Sequence, residues 1–174
     1  MRVGAILGFV FFFLSLLVQP AVSQIPDDQI IVPGQRVGKW TLDATLEEMT
    51  TAKGPATVRE IRGQVEGFHP VVLYLWNDLV AATHDRKRID FLYTASPAFR
   101  TDKGIGYDSS RQSVMSSYGR PTAYTSVLEV PGAPYPLKAR LIYDRIGFAV
   151  DLTMDSASLS IVFRPGSARS HWVF

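Results

Sequence analysis

The chain predicts an α+β domain: two tandem repeats, each a helix followed by four antiparallel strands, joined into one pseudo-symmetric unit. Three observations carry this expectation. Sliding the chain against itself aligns two stretches at an offset of 65 residues. Each stretch holds a short helix with its own cap and stop signals. After each helix the hydrophobic pattern switches to short alternating runs.

The first stretch reads Val37-Gly38, Asp43-Ala44-Thr45-Leu46-Glu47-Glu48-Met49 and Gly54-Pro55. The second reads Ile105-Gly106, Asp108-Ser109-Ser110-Arg111-Gln112-Ser113-Val114 and Gly119-Arg120-Pro121, with a three-residue gap after the first Gly and one extra residue before the second Pro. Thr45 caps the first helix and Glu48 reaches back as a capping box, while Ser109 with Gln112, or Ser110 alone, serves the second. Gly54 and Gly119 suit the left-handed conformation that follows a last turn, and the Pro beyond each forbids continuation. Leu46 and Met49 on one helix, and Val114 with Tyr118 on the other, form narrow apolar stripes that need a larger surface to pack on.

That surface is a sheet. In the first repeat the strand runs are Thr57–Ile61, Val71–Trp76, Leu79–Thr83 and Arg88–Thr94. In the second they are Ala123–Val130, Leu137–Tyr143, Ile146–Thr153 and Leu159–Arg164. Asn77-Asp78 and Asp144-Arg145 are the tight links between middle strands. Ile146, Phe148, Val150 and Leu152 alternate with Gly147, Ala149 and Asp151, so this strand is expected to bury one face and show a lighter one. Val71–Trp76 is apolar on both faces, which marks it as central and doubly covered or as carrying an aromatic binding face, with Trp76 at its end. The resulting division is residues 24–35 as an extended lead, 36–95 and 96–165 as the two repeats, and 166–174 as a tail.

Residues 1–23 are set apart by the pattern of a secretory signal: Arg2, an apolar run Val3–Val18, the breaker Gln19-Pro20 and the small residues Ala21 and Ser23 before Gln24. The run is shorter than the roughly 20 residues a spanning helix needs, so cleavage is expected, with no integral membrane span afterwards and a periplasmic or secreted destination. The whole chain has 174 residues with 18 Lys and Arg against 16 Asp and Glu. The part after the signal has 151, with 17 basic and 16 acidic side chains. That near balance excludes steering toward nucleic acid or anionic lipid. The absence of Cys excludes a disulfide scaffold and a lipidated anchor, and a domain of this size can bury a sizeable core by packing alone. The terminal Trp172-Val173-Phe174 is of the kind seen in outer-membrane barrels, but strand runs of five to eight residues fall short of the 9 to 11 or so that a spanning strand needs.

The apolar residue plus Gly, the Thr or Ser cap and the closing Gly-Pro or Gly-x-Pro, followed by strands, resemble the repeat of the SmpA/OmlA outer-membrane assembly lipoproteins. The two-repeat arrangement is also similar to the β-lactamase inhibitory proteins. The resemblance spans Arg36 to Arg164. It implies a two-repeat architecture, a bacterial cell-envelope setting and a sheet surface that binds protein, and it transfers no individual binding residue. The chain departs from the lipoproteins in having no Cys after the signal and in carrying two repeats.

Chemistry-bearing residues are sparse. His69, His84 and His171 include no pair at ligand spacing and no HExxH, so no metal is expected. Gly104-Ile105-Gly106 lacks the third glycine of a dinucleotide loop, and no Gly-x-Ser-x-Gly occurs, so no cofactor and no serine nucleophile is expected. His84-Asp85 places a His beside a carboxylate, and a small exported hydrolase-like enzyme with a site near His69, His84 and Asp85 is the alternative reading. The favoured reading is a non-enzymatic binding or protein-interaction module whose partner is a protein of the envelope. Its candidate contacts are Phe68 and Tyr135, on the Pro-containing loops Gly67–Pro70 and Gly132–Pro136, where rigid aromatics lose little entropy on burial. His69, Trp76 and the basic residues Arg86 and Arg88 join them.

Overall fold

Runs of β-branched and aromatic residues pair with their chain neighbours, and most of the described strands of this protein do so. The architecture comes from a computed structural model that describes residues 25–61, 71–125 and 139–167. After a 3-10 turn at Asp27–Gln29 come β1 (Ile30–Val32), β2 (Arg36–Val37), β3 (Trp40–Thr41) and helix α1 (Leu46–Lys53). Then follow β4 (Thr57–Ile61), β5 (Val71–Leu75), β6 (Val80–Thr83), β7 (Phe91–Thr94) and β8 (Arg100–Thr101). Helix α2 (Arg111–Tyr118), β9 (Ala123–Thr125), β10 (Ala139–Tyr143), β11 (Phe148–Thr153) and β12 (Ser156–Phe163) complete the order.

These strands form two sheets. The larger has the order β4-β5-β6-β7-β12-β11-β10-β9 and the smaller β3-β2-β1-β8. All pairs are antiparallel except β1 with β8, where Ile30 lies beside Arg100 and Ile31 beside Thr101. The expected class is therefore corrected. Among the described residues the protein is mostly β, with a four-stranded and an eight-stranded sheet and two helices of only eight residues, and not an α+β pair of helix-plus-four-strand repeats. Strands of two or three residues carry no readable alternation. The lead expected to be merely extended supplies β1, and β1 pairs across the chain with β8.

The helices form where the caps allow. Thr45 Oγ1 accepts the Glu48 N–H at 3.2 Å and Glu48 Oε2 accepts the Thr45 N–H at 2.7 Å. Ser110 Oγ accepts the Ser113 N–H at 3.1 Å, whereas Ser109 turns its hydroxyl to the Gly106 N–H. Met49 and Val114, both fully buried, pin the helices to one face of the large sheet, against Ala81, Leu92, Val150 and Val162, with Ile31 and Val37 of the small sheet in the same cluster.

The other face is buried as well. Val71, Ala82, Phe91, Tyr93, Ile142, Ala149, Ile161 and Phe163 form a second apolar cluster there. This corrects the expected one-sided strand Ile146–Thr153: β11 starts at Phe148, and its supposedly lighter face holds Ala149 and Asp151, both at 0% exposure. Asp151 tolerates that position because Arg140, its cross-strand partner on β10, grips both carboxylate oxygens through Nε and Nη2, the latter at 2.7 Å. Val71–Leu75 has strands on both sides, but only Val71 and Val72 are fully buried. Among the described residues, no helix is long and apolar enough to cross a membrane.

Candidate functional site

Among the described residues, an open surface with several exposed apolar side chains lies where the start of α2 meets the tip of the β11–β12 hairpin. Local backbone pairing builds it. The Asp108 N–H donates to the Ala157 carbonyl at 2.8 Å, the Ala157 N–H to the Ser109 carbonyl at 2.7 Å and the Arg111 N–H to the Asp155 carbonyl at 2.8 Å, so the segment before α2 is riveted to β12. The hairpin itself turns in two residues, Met154 and Asp155, with φ of 50° and 65°. Two positive φ values are what a tight antiparallel connection needs, and Asn-Gly is the usual choice. Asp tolerates this conformation; a methionine there costs about 1–2 kcal/mol and is held by the surrounding pairing.

Between hairpin and helix runs an open groove of about 560 Å³, lined by Ser110, Arg111, Gln112, Met115, Ser116 and Asp155. Arg111 organises it. Its Nη2 lies 2.9 Å from Asp155 Oδ1 and donates to the Tyr124 hydroxyl at 3.2 Å, and its guanidinium carbon sits 5.5 Å from the Tyr124 ring centroid. The buried Nε has no hydrogen-bond partner among the described residues. Around this anchored cation stand Met115, Tyr124 and Met154, exposed by 39%, 55% and 79%. Thioethers adapt to irregular shapes and a tyrosine buries a large area at small entropic cost, so the arrangement suits contact with another protein's apolar side chains.

The residues singled out from sequence are placed differently. Phe68, His69 and Tyr135 lie outside the described residues, as do residues 1–24, with the expected signal, and His171. Trp76 is half-buried against the first core cluster and donates its Nε1–H to the Gly54 carbonyl at 3.1 Å, which ties β5 to the end of α1. Arg86 reaches Glu60 on β4 at 2.9 Å, with side chains 61% and 33% exposed. Arg88 pairs through its backbone with Thr45, so the basic run is seated on the cap of α1.

His84 and Asp85 do not form the expected pair. Asp85 Oδ1 accepts the backbone N–H groups of Lys87 and Arg88, both at 2.8 Å, and the Thr83 hydroxyl at 3.1 Å. Those bonds, the Arg88 N–H first and the Lys87 N–H second, hold its carboxyl below the ordinary aspartate value. His84 instead sets Nδ1 2.9 Å from Asp90 Oδ2, and the same oxygen accepts the His84 backbone N–H at 2.9 Å. Among the described residues no group of three or more His, Asp or Glu side chains is placed to hold a metal.

Sequence reasoning passed over Arg111, Met115, Tyr124 and Met154. One signal was present. With the last strand begun at Ser156 instead of Leu159, Met154-Asp155 stands out as a primed turn with an unsuitable residue. No family model, curated protein or solved structure matches this chain.

Proposed function

We propose that the protein is an exported, non-enzymatic binding module of a bacterial cell envelope, and that it holds a protein partner through the surface around Arg111. One observation supports this most: Met115, Tyr124 and Met154 stand exposed about a salt-bridged arginine at an open groove. A tyrosine and an arginine next to adaptable methionines make the composition of an interface hot spot. The signal pattern before Gln24 supplies the export, and the resemblance to the SmpA/OmlA lipoproteins supplies the envelope.

The test is capture from envelope extract with the exported protein as bait, a Tyr124→Ala/Met154→Gly variant as control and mass spectrometry as readout. Glycine at the turn relieves the positive φ, so this variant removes contact area without endangering the hairpin. A partner protein recovered in stoichiometric amount and lost in the variant is expected. Each truncated anchor is worth about 2 kcal/mol or more when it is a hot spot. A partner retained by the variant would place the interface elsewhere, and the absence of any enriched protein would end the protein-binding reading.

A further inference from the structure

Sheet edges leave alternate N–H and C=O groups without a cross-strand partner, and proteins blunt them by shortness, charged side chains, proline, bulges or a covering segment. The two sheets here have four ends. At the ends of the small sheet, β3 and β8 are two residues each, and the outer side of β8 is met by its own chain, where the Thr101 N–H donates to the Ile105 carbonyl at 2.8 Å and Gly106 bridges Arg100. β9 has three residues and carries Tyr124, already engaged with Arg111.

Among the described residues β4 has one of these devices, the charged side chains Arg59 and Glu60. Thr57–Ile61 pairs with β5 through five residues in unbroken register, contains no Pro, Gly or Lys, and is exposed at every position but Ile61. Val58 shows 53% of its surface. Among the described residues no strand pairs with its outer side. Its two charges differ in state: Glu60 is engaged by Arg86, while the Arg59 side chain makes no ion pair or hydrogen bond among the described residues.

We propose that β4 is a strand-addition site, which receives an extended segment of a partner protein as a further strand of the large sheet. The segment carries an acidic residue beside Arg59 and an apolar one beside Val58. Backbone groups supply affinity in this mode, and alternating side chains supply specificity. Arg59 and Val58 are neighbours in the chain and so point to opposite faces, which asks for an acidic and an apolar residue next to each other in the incoming strand. Charge argues against a second copy as the occupant. A two-fold antiparallel pairing of β4 with itself that uses all five residues opposes Arg59 to its own copy, and like charges directly opposite are destabilising.

The exported protein is titrated with capped nonapeptides that alternate Thr and Val and bear either Glu or Lys at the centre, and amide hydrogen exchange is read residue by residue. The Glu peptide is expected to slow exchange at alternate amides of 57–61, to leave the Ala123–Thr125 amides unchanged and to bind about fivefold tighter than the Lys peptide. Arg59→Glu is expected to reverse that preference, and its exposed position leaves the fold intact by circular dichroism. Tyr124→Ala is expected to leave the peptide effect in place, so failure of the groove proposal and of this one are distinguishable. Unchanged exchange at 57–61, equal affinity for both peptides, or slow exchange there before any peptide is added, accompanied by a dimeric sedimentation mass, would each overturn the proposal.

Discussion

Replacing Asp151 by Ala takes from the Arg140 guanidinium, only 3% exposed in the middle of the large sheet, the carboxylate that it holds through both Nε and Nη2. Breaking a buried pair in this way costs about 3–5 kcal/mol, because a charge already out of water gives up the carboxylate that offset its desolvation. A domain of this size has a total stability of about 5–15 kcal/mol and shifts its Tm by about 2–4 °C per kcal/mol, so a drop of about 6–20 °C is expected. The joint replacement Arg140→Met/Asp151→Leu removes both charges and fills the space with apolar side chains. It is expected to fall near the wild type or up to about 4 kcal/mol above it. Burial pushes the Asp151 carboxyl above its ordinary value, and the hydrogen bonds and charge of Arg140 hold it back only in part. The folded state therefore binds this proton more readily than the unfolded chain, and the carboxylate's contribution to stability falls as pH rises from about 4 through the raised value. The advantage of the double variant over the wild type should accordingly be larger at neutral pH than near pH 4. Urea unfolding followed by circular dichroism, with calorimetry at both pH values, measures all of this. A cost below about 1 kcal/mol for Asp151→Ala, or a double variant as unstable as the single ones combined, would refute the reasoning.

Three further outcomes follow from the geometry. Tyr93→Phe is expected to be neutral or to stabilise by up to about 1 kcal/mol, because the Tyr93 hydroxyl is buried without a hydrogen-bond partner among the described residues; a loss above about 1 kcal/mol in the same urea assay would mean the hydroxyl is satisfied. Gly147→Ala places a Cβ against the Phe163 carbonyl oxygen and 2.7 Å from Gly34 Cα at a φ of +67°, so it should destabilise by more than about 2 kcal/mol. Gly166→Ala, at a φ of +79° with nothing within 4 Å, should show only the conformational cost of about 1–2 kcal/mol in parallel thermal melts. Asp85 and Glu48 have carboxyls held low, the first by the N–H groups of Arg88 and Lys87 and the second by Thr45, so the stability they contribute is present above pH 4 or so and is lost as pH falls through their lowered values. Acid titrations of Asp85→Ala and Glu48→Ala should show a shallower loss on that limb than the wild type, and curves parallel to it would contradict the assignment.

Local chemistry was legible in the amino-acid order. Thr45 and Glu48, three residues apart, announce a capping box; Gly54 and Gly119 announce the helix ends; and Asn77-Asp78 announces a tight link. Each depends on groups a few residues apart, whose geometry the backbone settles without help. The class of fold and the candidate site depended on contacts between distant residues. The pairing of Ile30 with Arg100, the burial of Asp151 by Arg140 and the meeting of His84 with Asp90 in place of its chain neighbour Asp85 exist only once strands have been brought into register. The same holds for the surface around Arg111, whose partners Tyr124 and Asp155 come from an edge strand and a hairpin tip. By itself the sequence determined the charge balance and the short helices. Tertiary structure decided which charges are paired and, among the described residues, which apolar side chains remain outside, because those follow from burial, which a chain acquires only on folding.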